Sequence, residues 1–79
     1  MRVHRKYKVL SSDDLNTIDL EARDRLRSDG QVELRCENIT AHIACKNGVF
    51  TVLSVFERIH EYDVFQPILT TQLNYFMNY

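Results

Sequence analysis

The fold is decided by residues 31–56, which read QVELRCENITAHIACKNGVFTVLSVF. Apolar and polar residues alternate through this stretch with a period of two, which is typical of strands that bury one face. Asn47-Gly48 lies between two apolar runs, and this dipeptide is the strongest short sequence signal for a β-hairpin. We therefore predict a three-stranded antiparallel meander over residues 31–57.

Two short loops fix the register of the predicted meander. A loop at Asn47-Gly48 sets three pairs opposite each other: Cys45 with Phe50, Ile43 with Val52, and Ile39 with Phe56. A second loop at Glu37-Asn38 sets three more: Cys36 with Ile39, Leu34 with Ala41, and Val32 with Ile43. Both loops place these apolar residues on one face, whereas a slip of one residue would invert a strand. The sheet is thus predicted to have a buried face and an outer face.

A strand and a helix are predicted before the meander. Residues 2–10 alternate between apolar and basic side chains, which indicates an edge strand with one solvated face. Ser11 then fits a helix N-cap with Asp14 as its reciprocal partner, and Leu10 and Leu15 fit a hydrophobic staple. The apolar stripe of this helix consists of Leu15, Ile18, Ala22 and Leu26.

The end of the first helix and the start of a second helix complete the fold prediction. Gly30 is predicted to supply the left-handed exit of the first helix. Asp63 and Gln66 resemble a capping box, which favours a second helix with Pro67 in its first turn, although alternation from Leu69 also fits a strand. The predicted fold class is α+β in the order β-α-β-β-β-α, as a single domain over residues 1–79 with both helices on one sheet face.

The composition indicates a small globular protein. The chain has 79 residues, of which 44% are hydrophobic and 27% charged, and its formal net charge is −1. No apolar stretch is long enough to span a bilayer and no secretory signal is evident, so we expect a cytoplasmic protein. A core of this size supplies little stability, and association into a homo-oligomer would add to it.

The sequence contains no signature of catalysis. The predicted register places Cys36 and Cys45 too far apart for a disulfide, and no Cys or His pair has metal-ligand spacing. No nucleophile is placed beside a base, and no Gly-rich loop is present to hold a phosphate. We expect a protein that is not an enzyme and that uses neither a cofactor nor a metal.

Two surfaces are candidates for function. The outer face of the meander is unusually apolar for a solvated face, so it is either a docking site for another protein or the place where the second helix packs. Its candidate contact residues are Thr40, His42, Thr51, Leu53 and Val55. The basic side chains of the first strand could instead meet nucleic-acid phosphates, and these are Arg2, His4, Lys6 and Lys8.

The leading hypothesis is a protein-binding regulator or inhibitor that acts through the outer sheet face. Small accessory proteins of viruses and phages often have this character. The alternative is a nucleic-acid-binding module that uses the basic first strand.

Overall fold

The computed structural model describes residues 9–62 and 64–78, and it contains two helices and a four-stranded antiparallel sheet. The elements in chain order are α1 (Ser12–Arg25), β1 (Gly30–Cys36), β2 (Ile39–Lys46), β3 (Val49–Ile59), β4 (Val64–Ile68) and α2 (Thr71–Asn78). The strands lie in the sheet in their sequence order, and every neighbouring pair is antiparallel. This architecture confirms the predicted α+β class.

The predicted N-cap of α1 at Ser11 is confirmed. The Ser11 hydroxyl oxygen accepts a hydrogen bond from the Asp14 N–H at 3.1 Å, and Leu10 and Leu15 are both buried. The helix ends differently from the prediction, because Leu26 is the C-cap and Gly30 is already the first residue of β1. Gly30 therefore provides no left-handed exit for this helix.

The two hairpin loops form where they were predicted. Asn47 and Gly48 have φ angles of 53° and 77°, as a tight hairpin turn requires, and Glu37 has a φ of 54° in the other loop. The first hairpin has the predicted pairs Cys36–Ile39, Leu34–Ala41 and Val32–Ile43. The second has the predicted pairs Cys45–Phe50 and Ile43–Val52.

A β-bulge in β3 makes the rest of the predicted second register wrong. Ile43 pairs with Val52, but the preceding residue His42 pairs with Ser54, so Leu53 is an extra residue without a partner on β2. One extra residue reverses the alternation beyond it. Ile39 therefore pairs with Glu57 rather than Phe56.

The segment after β3 also differs from the prediction. Residues 64–68 form the edge strand β4, so the helix does not begin near Asp63 but at Thr71. Pro67 lies in this edge strand and not in a helical turn; an edge strand tolerates proline because one side of its backbone needs no partner. Of the predicted first strand, Val9 and Leu10 lie outside any strand, and residues 2–8 lie outside the described residues.

Both helices pack on the same face of the sheet, as predicted. Buried side chains of α1, including Ile18 and Ala22, and of α2, Leu73 and Met77, join one core cluster with the inward-facing strand residues. In the described part of the chain, no helix is both long and apolar enough to cross a membrane.

Candidate functional site

The sheet face opposite both helices, called the outer face below, carries most of the predicted contact residues. Inward-facing residues of β2 and β3, such as Ile43 and Val52, are buried, and the residues between them face the other way. The predicted residues on the outer face are Thr40, His42, Thr51 and Leu53. Leu53 is 46% exposed.

Val55 does not belong to this surface, and its predicted placement is wrong. The bulge at Leu53 turns Val55 inward, where it is only 1% exposed and pairs with Ala41 on β2 and Ile68 on β4. A side chain buried in the core cannot contact a partner. The same bulge turns Phe56 outward, opposite Thr40.

Three apolar side chains of the outer face were missed by the prediction. Phe56 is 37% exposed and Phe65 is 58% exposed, and Pro67 pairs with Phe56 across β3 and β4. Phe56 was assigned to the core because no residue pattern marks the bulge. Phe65 was assigned to a helix because the sequence from residue 63 onward fits helical spacing.

Among the residues that the structure describes, charged side chains are absent from the centre of the outer face and present at its rim. The central side chains are Thr40, His42, Ala44, Thr51, Leu53, Ser54 and Phe56. The charged ones lie on the edge strand or at strand ends, and they are Glu33, Arg35, Lys46 and Arg58. Protein interfaces have the same division, in which charged residues are depleted at the core and the rim is polar.

His42 lies opposite Glu33 in the sheet, as predicted, but its side chain has a different partner. The Nε2 atom of His42 lies 3.0 Å from the Oε1 atom of Gln31, which lies two residues before Glu33 on β1. This contact is an ordinary cross-strand interaction between polar side chains. It positions the imidazole on the outer face.

A small cavity of about 130 Å³, called the corner pocket below, lies at one end of the outer face. Its walls come from the β1–β2 loop, from the ends of all four strands and from the turn after β3. They are Arg35, Glu37, Asn38, Thr40, Arg58, His60 and Phe65. Asn38 joins the loop to β3, because its backbone carbonyl accepts from the Arg58 N–H at 2.8 Å and its Oδ1 atom contacts His60 Nε2.

A second cavity, of about 490 Å³, lies between the two helices. Two aromatic side chains of α2, Tyr75 and Phe76, line it. Leu73 and Met77 are core residues, whereas Tyr75 is 62% exposed and Phe76 is 36% exposed beside Arg23 and Gln72. The apolar side chains of α2 are therefore divided between the core and the surface.

The two cysteines are free thiols at separate places in the fold. Cys45 is buried, and Cys36 donates a hydrogen bond to the Asp14 carboxylate at 3.6 Å. Partial burial, this hydrogen bond and the negative charges of Asp14, Glu37 and Glu21 raise the pKa of the Cys36 thiol. A thiol that keeps its proton is a poor nucleophile.

The remaining candidate site is the basic first strand, which is predicted to contact nucleic acid. Arg2, His4, Lys6 and Lys8 lie outside the described residues. Within residues 9–62 and 64–78, no three His, Cys, Asp or Glu side chains are grouped so that they could hold a metal ion.

Comparisons with protein-family models, with curated proteins and with solved structures found no significant match to this chain. The surfaces of the protein itself must therefore carry any functional inference.

Proposed function

We propose that this protein is a non-enzymatic regulator or inhibitor that binds another protein through its outer sheet face. The observation that carries this proposal is the position of both helices on the opposite face, while Leu53, Phe56 and Phe65 remain exposed. Exposure of such an apolar surface to water is unfavourable, and its burial against a partner lowers the free energy.

The distribution of residue types supports the same function. Aromatic side chains are enriched at protein interfaces, and the outer face presents two phenylalanines beside threonine and histidine side chains. Its rim carries charges of both signs, Glu33 on β1 and Arg58 on β3 among them, which would help to orient a partner.

The experiment compares two exposed leucines on different sides of the molecule. Leu53 lies on the outer face and is 46% exposed, and Leu20 lies on α1 and is 67% exposed. A photo-cross-linking amino acid at position 53 should form an adduct with the partner in an extract of the native host, and the same group at position 20 should not. Mass spectrometry of the adduct then identifies the partner.

The decisive measurement uses the purified partner and matched variants. Leu53→Asp should weaken binding at least about tenfold, because it places a charge at the centre of the interface, whereas Leu20→Asp should leave binding unchanged. Equal effects of the two variants, or none from Leu53→Asp, would exclude the outer face as the binding surface.

Single-stranded nucleic acid is the alternative partner, and one observation favours it. Exposed Phe56 and Phe65 share the outer face with Arg35 and Arg58, and aromatic rings beside cations are the means by which sheet surfaces stack bases and hold phosphates. If this function is correct, a fluorescent oligonucleotide should bind at low salt, its affinity should fall steeply as salt rises, and neutral substitutions at Arg35 and Arg58 should weaken it.

A further inference from the structure

The corner pocket brings hydrogen-bond donors from separate strands to one small cavity. Arg35 lies on β1, Thr40 on β2 and Arg58 on β3, and all three line the pocket. Strands two apart in a sheet are separated by about 10 Å, a gap that two arginine side chains can close on a single group between them. The Thr40 hydroxyl, in the strand between, adds a donor beneath that group.

We propose that the corner pocket binds one oxyanion, a carboxylate or a phosphate group, that the protein partner presents to it; the identity of the presenting partner rests on the function proposed above. The guanidinium of arginine offers paired N–H donors whose geometry matches the oxygens of carboxylate and phosphate. A single group fits a cavity of about 130 Å³ better than a nucleic-acid backbone does.

The charges around the pocket favour an anion. Among the described residues that line it, Arg35 and Arg58 are basic and Glu37 is acidic. The protein as a whole has a net charge of −1, and α1 has Asp13 and Asp14 in its first turn. A single oxyanion therefore meets a local positive site, whereas a long polyanion would also meet the acidic remainder of the molecule.

Phe65 gives the pocket an apolar wall beside the arginines. This ring is 58% exposed and pairs with Arg58 across β3 and β4. An oxyanion attached to an aromatic or aliphatic stem can place its charge between the arginines and its stem against the ring. Phenyl phosphate should therefore bind more tightly than inorganic phosphate.

The experiment is a titration of the full chain, in which binding is monitored through the NMR signals of the backbone amides. Inorganic phosphate and phenyl phosphate are the probes, and sodium chloride at equal ionic strength is the control. Saturable shifts should occur at pocket residues such as Thr40 and Asn38, with phenyl phosphate the tighter ligand. Shifts that chloride reproduces, or that spread over the whole surface, would overturn the proposal.

Variants with opposite expected effects test the pocket's charges. Arg35→Gln should weaken phenyl phosphate binding about threefold, the size of effect that an exposed charge gives. Glu37→Gln should strengthen it by a similar factor, because it removes the acidic wall. Arg25→Gln on α1 removes the same charge as Arg35→Gln, but far from the pocket, and should change nothing. Equal weakening by Arg25→Gln would indicate a nonspecific effect of net charge and would overturn the site.

Two further ligands separate the sources of the oxyanion. A short peptide with one phosphotyrosine among neutral residues should compete with phenyl phosphate at the pocket, whereas an oligonucleotide should not compete at physiological salt. Stronger competition by the oligonucleotide would overturn the assignment to a protein partner. The proposed function fails separately, in the comparison of Leu53 with Leu20, so the two failures are distinguishable.

Discussion

The side-chain amide of Asn78 pairs with the backbone of Phe50 as a neighbouring strand would. The Phe50 N–H donates to Asn78 Oδ1 at 3.3 Å, and Asn78 Nδ2 donates to the Phe50 carbonyl at 2.7 Å. One helical turn earlier, Asn74 Oδ1 accepts from the Val52 N–H at 3.1 Å. Since β4 pairs only with residues 55–59 of β3, α2 covers part of the sheet edge that β4 leaves open.

Replacing Asn78 with Ala should therefore lower the free energy of unfolding by about 1–3 kcal/mol. The substitution removes both partners of Phe50, and part-buried backbone groups left without hydrogen bonds are costly. Urea denaturation measures the change. Asn16→Ala is the matched control, because Asn16 is exposed on α1; that variant should be neutral or slightly stabilising, since alanine has the higher helix propensity. Equal effects at both positions would contradict the proposed role of Asn78.

The elements with strong local signals were predictable from the sequence. The N-cap at Ser11 and the turn at Asn47-Gly48 depend on chemistry within a few residues, and both form as predicted. The bulge at Leu53 has no such signal, because the apolar residues around it fit unbroken alternation equally well. The position of β4 depends on pairing with β3, which helical spacing from Phe65 onward concealed.

The bulge also determines which residues of the candidate site are predicted on the correct face. The predicted face is right for Thr40 and His42, which lie on β2, and for Thr51, which precedes the bulge on β3. Val55 and Phe56 follow it, so each was assigned to the wrong face. The corner pocket was missed for a related reason, since Phe65 reaches it only when residues 64–68 are a strand.

A pair of truncations tests the position of the bulge. Val55→Ala should lower the free energy of unfolding by about 2 kcal/mol, because Val55 is 1% exposed in the core. Leu53→Ala should change it by less than about 0.5 kcal/mol, since that side chain lies at the surface. Thermal or urea unfolding measures both. Without the bulge, Val55 would face outward, and its truncation would have little effect.

Arg23 joins α1 to both α2 and the sheet. Its Nε atom donates to Asp19 at 2.9 Å, its Nη2 atom donates to the Met77 carbonyl, and its guanidinium lies 4.9 Å from the centre of the Phe50 ring. Lysine keeps the charge but lacks the planar fork that makes these three contacts together. Arg23→Lys should therefore lower the free energy of unfolding by about 1 kcal/mol.

The control for Arg23→Lys is the same change at Arg27. Arg27 pairs with Asp24, but their side chains are 79% and 75% exposed, and exposed ion pairs contribute little. Arg27→Lys should change the free energy of unfolding by less than about 0.5 kcal/mol. A cost as large as that of Arg23→Lys would show that the contacts with Met77 and Phe50 add nothing.

Cys36 should make the protein less stable as the pH becomes alkaline. Partial burial, the hydrogen bond to Asp14 and nearby carboxylates raise the pKa of this thiol above its value in the unfolded chain. Below the unfolded pKa, about 8.5, the thiol is protonated in both states and its contribution to stability is complete. As the pH rises through that value and through the higher folded pKa, the unfolded chain loses the proton more readily, so stability is lost. Urea midpoints should consequently fall more between pH 7 and pH 10 for the native sequence than for Cys36→Ala.

A second variant tests the contribution of Asp14. Asp14→Asn should speed alkylation of Cys36 at pH 8. Parallel pH profiles and unchanged alkylation would contradict the role of Asp14.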